Sequence, residues 1–379
     1  MSHNRSTKPF PEPEPRTRPR PETPSLPRET SDSAAALRAI QARQFRPGFL
    51  AAAFLLLLLS GFGVSAESGT QAAVIVVAGA GGDEEYVTAF SEWSQHWVKA
   101  AGAAGAKLTA IGLDEKAPDA TSDKAALKSA LEAEARDGGA ELWVVLLGHG
   151  TYDRRTARFN LRGEDVSARE LADWLRQFRR PTAVVVAASA SGPFVSLLAA
   201  PDRVVVTATK SGDEINFARF GRHLSEAIND TRADLDKDGQ TSLLEAWLTA
   251  SRRVDEWYES EGRIATEHAL LDDNGDGKGT PASWFRGIRA VKKAKDGASL
   301  DGARAHQFHL LRSEQERRMP PELRARRDRI ELEVVRLRES REKLSEDDYY
   351  ARLEPLLLKL ARLYREAAAL EPAAGAPAK

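Results

Sequence analysis

The chain contains no cysteine. That absence excludes disulfides, thiolate zinc sites and a cysteine nucleophile, and it leaves the chain indifferent to the redox state of its compartment. A surplus of charge is also missing. Lys+Arg number 55 against 56 Asp+Glu, a formal net charge of −1, so the balance attracts neither nucleic acid nor a strongly acidic ligand. Long apolar runs are scarce, and the one that reaches 11 residues spans 49–59. What is present suffices for burial: 379 residues, 42% hydrophobic, can enclose one large core and a second small one.

Composition divides the chain. Residues 1–48 hold nine of the 19 prolines, with nine Lys+Arg against five Asp+Glu, a balance of +4. Such a Pro/Arg-rich segment buries too little apolar area to offset its ordering entropy, so disorder is the expectation. The run at 49–59 follows Arg38, Arg43 and Arg46, and Val64-Ser65-Ala66 then offers the small residues a signal peptidase reads. The flanking charge predicts an inside amino terminus and an exported remainder, periplasmic or extracellular. Cleavage after Ala66 is expected, and the alternative is a retained anchor at 49–66 that tethers the chain to a membrane.

Beyond Ala66, apolar strands alternate with helices. Ala73-Val-Ile-Val-Val77, 108–111, 141–147, 183–186 and 203–209 read as strands. Residues 83–103 read as a helix with Tyr86, Phe90, Trp93 and Trp97 on one stripe, and 122–136 as a second. Residues 167–178 form a third, with Leu171, Trp174, Leu175 and Phe178 on one face and Ser167 as N-cap. Short apolar runs without alternation suit strands buried on both faces. Their alternation with helices predicts an α/β domain at 68–291 built on a doubly wound, mostly parallel sheet. Open parallel sheets bind ligands outside the carboxyl ends of their strands.

His149 and Ser189 fall at that edge. Leu147-Gly148-His149-Gly150 closes the third strand, and Ala187-Ala188-Ser189-Ala190-Ser191-Gly192 follows the fourth. A nucleophile needs a base within hydrogen-bond reach and amides aimed at the developing oxyanion. In that chemistry Ser189 attacks, His149 takes the proton, and the amides of Gly150 and Ser189 form the hole. A strand-capping histidine followed by an ordinary Ser-Ala-Ser-Gly turn accounts for the same residues. Gly79-Ala80-Gly81-Gly82 departs from the dinucleotide fingerprint, and Asp83, Glu84 and Glu85 stand where a phosphate would, so a tight turn is expected there.

The same stretch resembles the caspase-hemoglobinase fold and, within it, the legumain-like peptidases. In that family one strand ends in His-Gly, the histidine being the base, and the next ends in Glu-Ala-Cys-x-Ser-Gly, the cysteine being the nucleophile. The resemblance covers roughly 72–280 and is supported by Val76-Val77-Ala78-Gly79-Ala80-Gly81-Gly82 with Tyr86. It implies a caspase-like α/β fold, a peptide or protein partner, and roles for His149, Gly150 and Ser189. It also shows departures: Ser189 stands at the cysteine position, Ala187 at the acid, and Val87 where the arginine would align. Because the acid and the arginine shape the specificity pocket, preference for asparagine or aspartate does not carry over. A serine hydroxyl is far harder to ionise than a thiol, and no orienting acid is evident, Asp153 being near only in sequence. Two readings follow: a Ser189-His149 peptidase, or an inactive pseudopeptidase acting as a peptide-binding or scaffold module.

Asp234-Leu-Asp236-Lys-Asp238-Gly239-Gln240-Thr-Ser242-Leu-Leu-Glu245 places oxygen donors at loop positions 1, 3, 5, 9 and 12, with the Gln240 carbonyl at 7 and glycine at 6. That is EF-hand spacing, and calcium in a structural role is the expected cofactor, an acidic capping loop being the alternative. Residues 217–228 and 242–258 supply the flanking helices. Asp272-Asp273-Asn274-Gly275-Asp276-Gly277 starts in the same way, but Ser283 stands at position 12, so a carboxylate-rich turn is expected. His268 reads as a satisfied core or loop histidine rather than a ligand. After the basic linker Lys292-Lys293-Ala-Lys295, heptad-like apolar spacing over 300–370 predicts a helical hairpin. Pro320 and Pro321 open its first arm, Ser345 with Asp348 caps the second, and Pro355 is expected to kink or restart it. The hairpin either self-associates or packs within its own chain.

Overall fold

The structure, a computed structural model, describes residues 71–114, 122–292 and 299–370. The Pro/Arg-rich segment, the 49–66 signal or anchor segment, most of the basic linker and the tail beyond Leu370 lie outside the described residues. Among the described residues no helix is long and apolar enough to cross a membrane.

Unbroken runs of β-branched and aliphatic residues form the centre. Strand β1 (Ala73–Ala78) leads into helix α1 (Glu84–Ala103), then β2 (Lys107–Ile111), α2 (Asp123–Glu132) and β3 (Leu142–Leu147). Three short strands follow, β4 (Gly150–Tyr152), β5 (Ala157–Phe159) and β6 (Val166–Ser167), then α3 (Ala168–Leu175), β7 (Thr182–Ala187), α4 (Pro193–Leu198) and β8 (Arg203–Thr207). The chain continues through α5 (Phe220–Ala227), α6 (Leu243–Ser260), β9 (Leu270–Asp272) and β10 (Thr280–Pro281), and a two-stranded ribbon of β11 (Phe285–Arg286) and β12 (Arg289–Ala290). The main sheet runs β10-β9-β8-β7-β3-β1-β2. Its β2, β1, β3, β7 and β8 are mutually parallel, and β9 pairs antiparallel with both neighbours. This is the mostly parallel, helix-flanked α/β sheet expected from the alternation of strands and helices.

Every residue of β1, β3 and β7 is buried because helices cover both faces. Val74, Val76, Trp143, Val145, Val185 and Val206 pack with Trp93 and Trp97 of α1 and Trp247 of α6. Ile75, Val77, Val144, Leu146, Val184 and Val186 pack with Leu127 and Leu131 of α2, Leu171 and Leu175 of α3 and Phe194 of α4. Consecutive residues thus enter opposite layers, which is why the strands lack the alternation of a one-sided sheet. The β4-β5-β6 sheet escaped the sequence reading because its strands are two or three residues long and carry Arg158 and Thr151 among the apolar positions.

Two buried arginines organise the amino edge of the sheet. Arg180 donates to the carbonyls of Gln71, Ala140 and Glu141, which precede β1 and β3, and pairs with Glu134 at 3.4 Å. Arg203 donates to Leu198 O and Leu175 O, satisfying the carbonyl ends of α4 and α3.

The carboxyl-terminal arm comprises α7 (Glu314–Arg318), α8 (Pro321–Glu339) and α9 (Glu346–Leu370). Helices α8 and α9 form a hairpin over Met319, Leu323, Ile330, Leu363 and Ala367, with Arg326 paired to Glu366. Ser345 accepts from Asp348 N at 3.1 Å, capping α9 as expected. The expected restart at Pro355 does not occur, since α9 runs through it as one helix. Ala351, whose carbonyl loses its donor there, is exposed, so water can satisfy it.

Replacing Arg180 by Met removes a donor from each of the Gln71, Ala140 and Glu141 carbonyls and one of the two cations paired with Glu134, which keeps Lys107 at 2.7 Å. The expected cost is about 1–3 kcal/mol of unfolding free energy, read by chemical denaturation.

Candidate active-site edge and acidic loops

Register brings the two motifs together. Leu147, the last residue of β3, pairs with Ala187, the last of β7, so His149 and Ser189 each lie two residues beyond a paired position. The strand-to-β4 turn is anchored because Asn160 N donates to His149 O and Ala80 N to Asn160 O, both at 3.0 Å. Gly79 is required here, since a Cβ would meet Asn160 O at 2.7 Å. The Gly79-to-Gly82 run is therefore the tight turn expected.

Gly150 and Ser189 are in intimate contact. A Cβ on Gly150 would lie 2.3 Å from Ser189 O, so only glycine permits this approach. The Ser189 hydroxyl accepts from Gly150 N at 3.2 Å and donates to Gly150 O at 3.3 Å. Ser189 is 3% exposed. Among the described residues no hydrogen bond joins it to His149. The His149 ring instead packs edge-on to Tyr86 at 4.7 Å, Phe90 at 5.0 Å and Phe217 at 5.8 Å. Burial lowers its pKa, against a hydrogen bond to the Gly81 backbone and the charge of Asp83, which favour the cation.

The remaining motif residues have structural partners. Ser191 bonds Thr209 Oγ1 and accepts from Ala208 N and Thr209 N, tying the turn to the end of β8. Ala190 adopts φ 54° and donates to Glu214 O at 2.8 Å. The Glu214 carboxylate receives Lys210 N and the His268 ring, so His268 is the satisfied loop histidine expected. Asp153 takes no part at the edge. It pairs with Arg158 and caps its own turn through Arg155 N and Thr156 N, which holds its carboxyl down at about 2. Ala187 is fully buried, with a Cβ at Gly221 falling 3.1 Å from its own, while Val87 is exposed.

The first acidic loop is built on its own backbone amides. Asp234 accepts from Lys237 N and Gly239 N, Asp236 from Asp238 N, and Asp238 from Gln240 N. Glu245 accepts from Leu235 N and Asp236 N with one oxygen and from Ser242 N and Oγ with the other. Gly239 has φ 90°, the left-handed turn that position 6 requires. Carboxylate oxygens of Asp234, Asp236 and Asp238 lie within 4.8 Å of one another. Sequence reasoning missed His306, whose Nε2 is 3.0 Å from Asp236 Oδ2. It lies 70 residues downstream, beyond the reach of any local pattern.

The second acidic loop repeats this frame. Asp272 accepts from Gly275 N and Gly277 N, Asn274 from Asp276 N, and Asp276 from Lys278 N. Asp301 accepts from Asp273 N and Asn274 N and receives Thr280 Oγ1, as Glu245 does in the first loop from Leu235 N, Asp236 N and Ser242 Oγ. The carboxylate missing at Ser283 therefore arrives from outside the loop. Burial, reinforced by Asp301, pushes Asp272 up to about 6.

No protein-family model matches the chain, and a search of the curated proteins finds no match. Solved structures similar to it include the Drosophila initiator caspase Dronc, at 13% identity and TM-score 0.34 over 57% of this chain and 88% of that one. Caspase-1 from Spodoptera frugiperda is similar at 13% identity and TM-score 0.35, over 54% and 87%.

Because the folded-state pKa of His149 lies below 6.5, its neutral form is favoured by folding. Stability is then expected to fall as pH drops below 6.5, where the unfolded chain binds the proton first. NMR titration of His149 should give a midpoint below 6.5.

Proposed function

We propose that the chain is a non-hydrolytic peptidase-fold module that engages a peptide or protein segment at the His149–Ser189 edge. The observation that carries this reading is the two-way bond between Ser189 Oγ and the Gly150 backbone. A serine becomes nucleophilic when a base takes its proton. Here the hydroxyl donates to a carbonyl, the Gly150 amide is spent on the ground-state hydroxyl, and the half-buried His149 ring packs against Tyr86, Phe90 and Phe217. Loss of the acid and arginine positions to Ala187 and Val87 fits a site whose recognition no longer serves the family's chemistry. A membrane tether or export through 49–66 and self-association through the arm belong to the same proposal and rest on sequence alone.

The loop at 234–245 supports a structural calcium ion. Its donor set, the carboxylates of Asp234, Asp236, Asp238 and Glu245 with the Gln240 carbonyl and Ser242, is all oxygen, as a hard cation demands. Such an ion fixes the start of α6 and supplies neither nucleophile nor base.

One observation favours the competing reading, hydrolysis by a Ser189-His149 dyad with Gly150 in the oxyanion hole. Ala190 sits at positive φ directly after Ser189, and the Ser189 amide has no protein acceptor among the described residues, so one oxyanion donor is free.

Digestion of a diverse peptide library by the full chain, with and without calcium, distinguishes them. No cuts are expected in either condition, and cuts that disappear in Ser189→Ala would establish the dyad instead.

A further inference from the structure

The acidic loop at 234–245 does not stand alone. The segment after the linker wraps over it: Leu243 N donates to Phe308 O at 2.8 Å, and Ser313 N to Gln240 Oε1 at 3.1 Å. That wrapping delivers His306 to Asp236. Asp236, Glu245 and His306 then present one ligand atom each, all within 4.8 Å of one another. This set shares Asp236 and Glu245 with the calcium loop but adds a nitrogen and leaves out Asp234 and Asp238.

The donors bear on the cation. Calcium takes oxygen ligands alone, whereas imidazole suits zinc and its transition-metal neighbours. Zinc at about 2.0–2.2 Å from N and O ligands sets tetrahedral neighbours about 3.3 Å apart, and the His306 Nε2 to Asp236 Oδ2 separation of 3.0 Å is close to that value. His306 is one-third exposed, which leaves a cation a route in. A further imidazole stands beside it, the ring of His309 being centred 6.3 Å from that of His306. His309 is 6% exposed; its Nδ1 lies 3.3 Å from Gln307 O, and its Nε2 has no partner among the described residues. An ordinary surface ion pair between His306 and Asp236 explains their contact but not a second buried imidazole beside it with one ring nitrogen unpaired.

We propose that Asp236, Glu245 and His306 form a mixed carboxylate–imidazole centre for a divalent cation of the zinc class, distinct in its donors from the all-oxygen set on the same loop. The proposal rests on reading 234–245 as a cation loop. Its consequence is mechanical, because Asp236 belongs to the loop leading into α6, Glu245 to the first turn of α6, and His306 to the segment leading into α7 and α8. A cation bound there fastens the carboxyl-terminal arm to the α/β domain.

The two donor sets separate by mutation, since Asp234 serves only the oxygen set and His306 only the mixed one. The full chain, stripped with EDTA, is titrated calorimetrically with zinc chloride and with calcium chloride. His306→Gln is expected to weaken zinc by more than the roughly 10-fold that losing a supporting partner costs, while calcium is unaffected. Asp234→Asn is expected to weaken calcium and spare zinc. Limited proteolysis is expected to show the 299–313 segment protected by zinc in the parent chain and unprotected in His306→Gln. Absence of zinc binding, or zinc binding insensitive to His306→Gln, overturns the proposal while calcium binding keeps the loop reading intact. Loss of both cations together in His306→Gln also overturns it, and binding of neither by the parent chain removes both readings.

Discussion

The contact between Gly150 and the Ser189 carbonyl is the constraint on which the candidate site depends. Parallel pairing of β3 with β7 sets the ends of both strands level, so the segments that leave them meet at once. They meet without clashing because position 150 has no side chain. The same closeness lets the Gly150 N–H donate to the Ser189 hydroxyl and the Gly150 carbonyl accept from it. Backbone geometry thus holds this hydroxyl in place. The aromatic enclosure of His149 works in the same direction, since burial opposes the imidazolium that a general base must become.

The two acidic loops extend this economy of shared parts to the other side of the domain. Asp273 accepts from Gly302 N and Ala305 N, Asp301 closes the second loop, and His306 reaches the first. One stretch, 301–313, therefore docks on both loops before the chain enters α7 and α8. Gln307 continues the connection to Asp328 O on α8. That stretch is fastened by apolar burial as well as by polar contacts, Ala305, Phe308 and Leu310 entering the main core, whereas the hairpin's own core is limited to a few side chains such as Leu323 and Leu363. Arrangements of that kind respond to cations, because carboxylates gathered in low dielectric repel one another until a positive charge joins them.

Much of this was legible in the sequence, for physical reasons that differ by element. Strands such as Ala73–Ala78 and Leu142–Leu147 announce themselves because burial on both faces demands unbroken apolar runs. The loop at 234–245 is legible because its donors are local and its spacing is set by the turn they form. Asp301 and His306 were invisible for the opposite reason, being brought to their loops by folding across roughly 30 and 70 residues. Helix α9 continues through Pro355 without a restart because the carbonyl orphaned there, on Ala351, faces water, which the local pattern does not encode. The Ser189 hydrogen bonds were hidden as well. Order and spacing placed His149, Gly150 and Ser189 at one edge, yet which of the three pair is decided by side-chain direction, and no spacing encodes that.

Intact-mass measurement of the full chain after exposure to a fluorophosphonate probe reads whether Ser189 is activated, because such probes modify serines that a base activates. Unmodified mass is expected, with Ser189 as inert as in an unfolded control. A single adduct that maps to Ser189 and is lost in His149→Ala would contradict it, showing that the dyad forms and that the Gly150 bonds are readily exchanged for catalysis.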